Sequence, residues 1–72
     1  MSKLRDMLYT SAMADKAKAL LTLELLEDKA VGIGDHSTGD FYNNAEEALQ
    51  MLVDADDRLE AIQTYLTKKE VV

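Results

Sequence analysis

From Phe41 onward, apolar side chains recur at Phe41, Ala45, Ala48, Leu52, Ala55, Leu59, Ile62 and Leu66, spaced alternately by four and by three. A seven-residue repeat of this kind puts all eight on one narrow stripe of a helix, and it favours a left-handed supercoil with a second helix lying along the stripe. Three of the eight are alanine, so the covering helix is able to come close. The 72-residue chain has no proline to interrupt a helix and no cysteine to staple a fold. Helix packing, and a partner chain with it, must supply the stability. A chain of this length makes a single domain, residues 1–72, too small for a nucleotide-binding sheet or a deep catalytic cleft.

Three glycines, Gly32, Gly34 and Gly39, divide the chain into two halves rich in helix formers. The expected fold is therefore all-α, an antiparallel helical hairpin with a helix over about 3–30, a loop over 31–37 and a helix over about 38–68. Ser2 is placed to cap the first helix, and Gly32 to take the left-handed conformation just past its end. Ser37, three residues before Asp40, has the capping-box spacing for the second helix, and Lys68 and Lys69 suit the negative end of its dipole.

The first helix is apolar over most of its circumference. On a helical wheel Leu8, Ala12, Ala19, Leu23 and Leu26 form one strip, Met13, Ala17 and Leu20 a second, and Met7, Ala14, Leu21 and Leu25 a third. Only Ser11, Asp15, Lys18 and Thr22 make a polar strip. One hairpin mate covers one strip, and the rest marks an interface. The expectation is a homodimer, helix 1 against helix 1 in a four-helix bundle, with Met13, Ala17, Leu20, Leu21 and Leu25 at the contact. The plainer alternative is that the alanine-rich strips simply face water.

Charge is divided unevenly. Residues 1–29 hold five acidic and five basic side chains, and residues 30–72 hold nine acidic and three basic, so the net charge of −6 belongs to the second half. Glu46, Glu47, Asp54 and Asp57 project opposite the apolar stripe, as a solvated face or as a docking surface for a basic host protein. Lysines and arginines form no patch that would displace counterions, so direct nucleic-acid binding is not expected. No cofactor or metal site is expected either. Asp54 to Glu60 starts like a calcium loop, but Arg58 takes a ligand position, no glycine follows, and the heptad runs through it as helix.

The loop holds the chain's one histidine. Asp35, His36 and Ser37 are residue types of a catalytic triad, yet neighbours on a turn point apart and cannot assemble nucleophile, base and oxyanion donors. The glycines supply positive φ, Asp35 and Ser37 satisfy free amides, and His36 with Phe41 and Tyr42 is a candidate recognition tip. No enzyme activity is expected. Neither a signal peptide nor a membrane span is expected, since Asp6 interrupts the start and Glu24 the densest apolar run, which implies a cytoplasmic protein without membrane partners.

Residues 31–62, VGIGDHSTGDFYNNAEEALQMLVDADDRLEAI, resemble small acidic proteins of tailed bacteriophages that infect marine cyanobacteria. The most distinctive parts are the turn GIGDHS and the acidic helix with VDADDRLE, and the likeness covers a little under half of the chain. It implies a phage origin and expression inside a bacterial host, with no activity to carry over. The expected function is that of a non-enzymatic accessory or regulatory protein working through protein–protein binding. Two alternatives are a small virion or assembly component, and an acidic mimic of nucleic acid that blocks a basic groove.

Overall fold

The computed structural model describes residues 2–33 and 39–67, with side chains placed for 2–29 and 39–67. Two helices pack against each other, α1 over Lys3–Ile33 and α2 over Gly39–Ala61, and α2 continues into a wide π turn over Ile62–Leu66. Three contacts fix their relative direction. Arg5 meets Thr67, Asp15 meets Arg58, and Lys16 meets Asp56, so one number falls as the other rises and the helices are antiparallel.

Ser2 caps α1 as expected, its Oγ accepting the Arg5 amide at 2.9 Å. Gly32 does not end the helix, which runs on to Ile33. Glycine tolerates helical dihedrals as well as left-handed ones, at a cost of about 1 kcal/mol, so it permits a stop without imposing one. Gly39 likewise opens α2 without a positive φ, and a Cβ built there meets nothing within 4 Å. Ser37, His36 and the two terminal lysines lie outside the described residues.

Along α2 the heptad stripe is the seam. Ala48, Ala55 and Ile62 are buried, and Phe41, Ala45, Leu52 and Leu59 are half-buried. The matching seam of α1 is Arg5, Leu8, Ala12, Asp15, Ala19, Thr22 and Leu26, with Ala12 and Ala19 fully covered. Asp15 and Thr22, expected on a solvent-facing polar strip, therefore sit at the interhelical contact. Each is satisfied there: Asp15 accepts from the Arg58 guanidinium at 2.6 Å, and the Thr22 hydroxyl donates to the Lys18 carbonyl at 2.8 Å.

Leu66 is a second departure. It was to be the last member of the stripe but is 45% exposed. Thr67 donates its amide to the Ile62 carbonyl at 3.0 Å, a step of five residues instead of four, so one extra residue is wound into the last turn. That insertion advances the register, and Thr67 takes the seam position. The Thr67 hydroxyl then accepts from Nε and Nη2 of Arg5, at 3.3 and 3.1 Å. A leucine there would give a half-buried guanidinium no acceptor.

Among the described residues the buried set is four alanines and one isoleucine, with no large side chain fully buried. Small residues every seventh position leave room for little else, so Ala19→Leu or Ala55→Leu should force the helices apart and cost about 1–3 kcal/mol, read as a lower urea midpoint. Gly39→Ala, in open space at a helical position, should raise stability by about 0.4–1 kcal/mol in the same assay.

Candidate functional site

Successive residues on a helix are 100° apart, so each seam is flanked by two further heptad ridges, one residue before it and one after. The ion pairs show which flanks share a side of the hairpin. Lys16 and Asp56, each one residue after a seam position, meet at 2.9 Å. The opposite side holds Arg58, one before the seam, which bonds both Asp15 at 2.6 Å and Asp54 at 3.1 Å. The hydrogen bond that Arg58 donates to Asp15, with the negative charge of Asp54 added, holds the Arg58 guanidinium above its usual pKa despite some loss of hydration.

Between Asp6, Lys16 and Glu27 the ridge after the α1 seam carries the exposed apolar side chains Tyr9, Met13 and Leu20, and between Glu46, Asp56 and Glu60 its neighbour on α2 carries Tyr42, Leu49 and Val53. All six apolar residues are 41–53% exposed. Counting in opposite directions from Lys16 and Asp56 puts Leu20 beside Val53 and half-buried Leu23 beside Leu49, so these make one apolar patch across both helices. The ridge before the α1 seam carries Leu4, Met7, Ser11, Ala14, Lys18, Leu21 and Leu25, and its four large apolar members are 55–63% exposed. Its neighbour on α2 reads Asp40, Asn44, Glu47, Met51, Asp54, Arg58 and Ala61. Both flanks of α2 thus mix apolar and charged side chains.

The five residues expected at a dimer contact are all at the surface, but they do not form one face. Met13 and Leu20 lie on the side shared with Leu49 and Val53, Leu21 and Leu25 on the other, and Ala17 between them on the back of α1. Sequence reasoning missed Leu49 and Val53, which stand among Glu46, Asp56 and Glu60 and show no apolar period of their own until α1 is laid beside them.

The four acidic residues expected on one face of α2 are spread around it, Glu46 on the flank of Leu49, Glu47 and Asp54 on the other flank and Asp57 on the back; Glu46, Glu47 and Asp57 are exposed, while Asp54 is bound by Arg58. Phe41 and Tyr42 of the expected tip pack edge to face, with ring centroids 5.8 Å apart, and His36 is outside the described residues. An open cleft of about 380 Å³ lies at the π turn, lined by Leu8, Ser11, Arg58, Ile62, Tyr65 and Leu66 among others. Its one charged group is already engaged by two carboxylates. Among the described residues no His, Asp and Glu side chains cluster as a metal site, and no helix is long and apolar enough to cross a membrane.

No protein-family model, curated protein or solved structure matches the chain. Function must therefore be argued from these surfaces. The Arg5–Thr67 contact has a direct readout: Thr67→Val removes the acceptor and should speed amide exchange over residues 62–67. Exchange around Ala48 and Ala55 should not change.

Proposed function

We propose that this chain is a non-enzymatic accessory or regulatory protein that acts by binding other proteins, as a homodimeric helical bundle. The observation that carries the reading is the imbalance between core and surface. Four alanines and Ile62 are buried, while twelve large apolar side chains among the described residues are at least 41% exposed. Leu20, Leu23, Leu49 and Val53 adjoin across the two helices, and an exposed apolar patch is the mark of an interface. On this reading the outward side of α1, including Met13, Ala17, Leu20, Leu21 and Leu25, is covered on assembly, part of it by a second copy and part by a partner protein. The sequence resemblance supplies a bacterial setting, with the chain phage-encoded and the partner a host protein.

Sedimentation and capture test the two halves of the proposal. Wild-type protein should sediment as a dimer of 8.0 kDa chains and retain a host protein from bacterial lysate. Combining Leu21→Glu with Leu25→Glu should abolish retention. A folded monomer that retains nothing above background would end the proposal. Mass spectrometry of purified phage particles separates it from a virion role, since an accessory protein should be absent from them.

A further inference from the structure

We propose that the last turn of α2 is a two-register switch that opens and closes the cleft beside it. With one extra residue wound in, Arg5 of α1 holds Thr67 and the cleft stands open. With that residue unwound, Leu66 and Tyr65 of the same chain close it. The switch is independent of the dimer and partner readings, since every group in it belongs to one chain.

The sequence pattern and the fold specify different registers for this turn. Leu59, Ile62 and Leu66 are spaced by three and four, which continues the seam as unbroken α-helix as far as Leu66. In the structure the Ile62 carbonyl instead accepts the Thr67 amide at 3.0 Å, and the turn is a π-helix over Ile62–Leu66. Residues after Ile62 then lag their α-helical positions, by about one 100° step at the end of the turn. Leu66 therefore sits at the rim of the cleft, 45% exposed. Tyr65, which in an α-helix would follow Arg58 and Ala61 along their flank, is turned outward to 79% exposure.

Both side chains line the cleft of about 380 Å³, together with the seam residues Leu8 and Ile62 and the flank residue Ala61. Rewinding the turn as α-helix rotates it toward α1. Leu66 then returns to the seam beside Leu8, and Tyr65 moves over Ala61. The two fill the space that they now border, so the occupant of the closed cleft is the chain itself.

The open register is held by two hydrogen bonds from Arg5 to the Thr67 hydroxyl, from Nε at 3.3 Å and from Nη2 at 3.1 Å. Arg5 is positioned for them from its own helix, 5.7 Å from the centre of the Tyr9 ring and 3.8 Å from Asp6. The same hydroxyl donates to the Ile62 carbonyl at 3.3 Å, which ties the extra residue in. Closing forfeits these bonds and leaves the Arg5 guanidinium to reach water at the end of the hairpin. In return it withdraws two large apolar side chains from water and restores α-helical hydrogen bonding. Each register thus keeps what the other loses. An apolar group that enters the cleft selects the open register, because in the closed one Leu66 and Tyr65 take its place.

Scalar couplings across hydrogen bonds, measured by NMR on the 8.0 kDa chain, identify which amide the Ile62 carbonyl accepts. In the wild-type protein the coupling should be to the Thr67 amide. Thr67→Val removes the hydroxyl and should pass the coupling to the Leu66 amide, with new NOE contacts between the methyl groups of Leu66 and Leu8. Faster amide exchange in this variant reports release of the latch, and the couplings report the register that follows. Arg5→Met releases the latch from the other helix and should give the same transfer. Circular dichroism should show both variants as helical as the wild type. A coupling that stays on residue 67 in either variant overturns the switch. So does a coupling that vanishes without passing to Leu66, since the turn then frays instead of changing register.

Discussion

Alanines at heptad spacing on both faces of the seam are the constraint on which the rest of the structure depends. Ala12 and Ala19 of α1 lie in the same seam as Ala48 and Ala55 of α2, and small side chains at heptad spacing bring two helix backbones together over their length. Close approach has a consequence for every larger residue. Leucines on the seam, such as Leu8, Leu26, Leu52 and Leu59, are only half-buried because there is no depth between the helices to receive them. The chain therefore gains a well-defined register and very little core. Its radius of gyration is 16.5 Å, against about 11 Å for a compact chain of this length.

Register is held by polar groups at the seam and its edges. Arg58 ties α2 to Asp15, Lys16 ties α1 to Asp56, and the two pairs lie on opposite sides. These side chains are 37–52% exposed, so their attraction is screened and adds little stability. Their use is selective. A shift of one heptad along the alanine seam would keep small residues in contact but would separate both ion pairs at once. The π turn serves the same end, since it brings a hydroxyl rather than Leu66 to the Arg5 guanidinium.

Much of the fold was legible because α2 has one unbroken heptad stripe, while its other large apolar residues, Tyr42, Leu49, Met51 and Val53, are interspersed with charges. Seven of the stripe's eight members lie on the seam. The α1 seam could not be read in the same way, because Leu8–Ala12–Ala19–Leu26, Met13–Leu20 and Leu21–Leu25 are three apolar strips about 100° apart, and periodicity alone does not rank them. Asp15 and Thr22 looked like surface residues for want of a visible partner, and Arg58 is 43 positions away from Asp15. The wound-in residue at 62–67 left no local signal either. It follows from a contact between opposite ends of the hairpin.

By itself, then, the sequence determined two helices, their division at the glycine-rich segment, the Ser2 cap and the face that α2 turns inward. Each depends on neighbours within one or two helical turns. Only the tertiary structure decided which strip of α1 is buried, where the extra residue enters, and that Leu49 and Val53 join Leu20 and Leu23 in one apolar patch. Those features arise from pairing residues thirty to sixty positions apart, and helical period carries no information about which face of one helix meets which face of another.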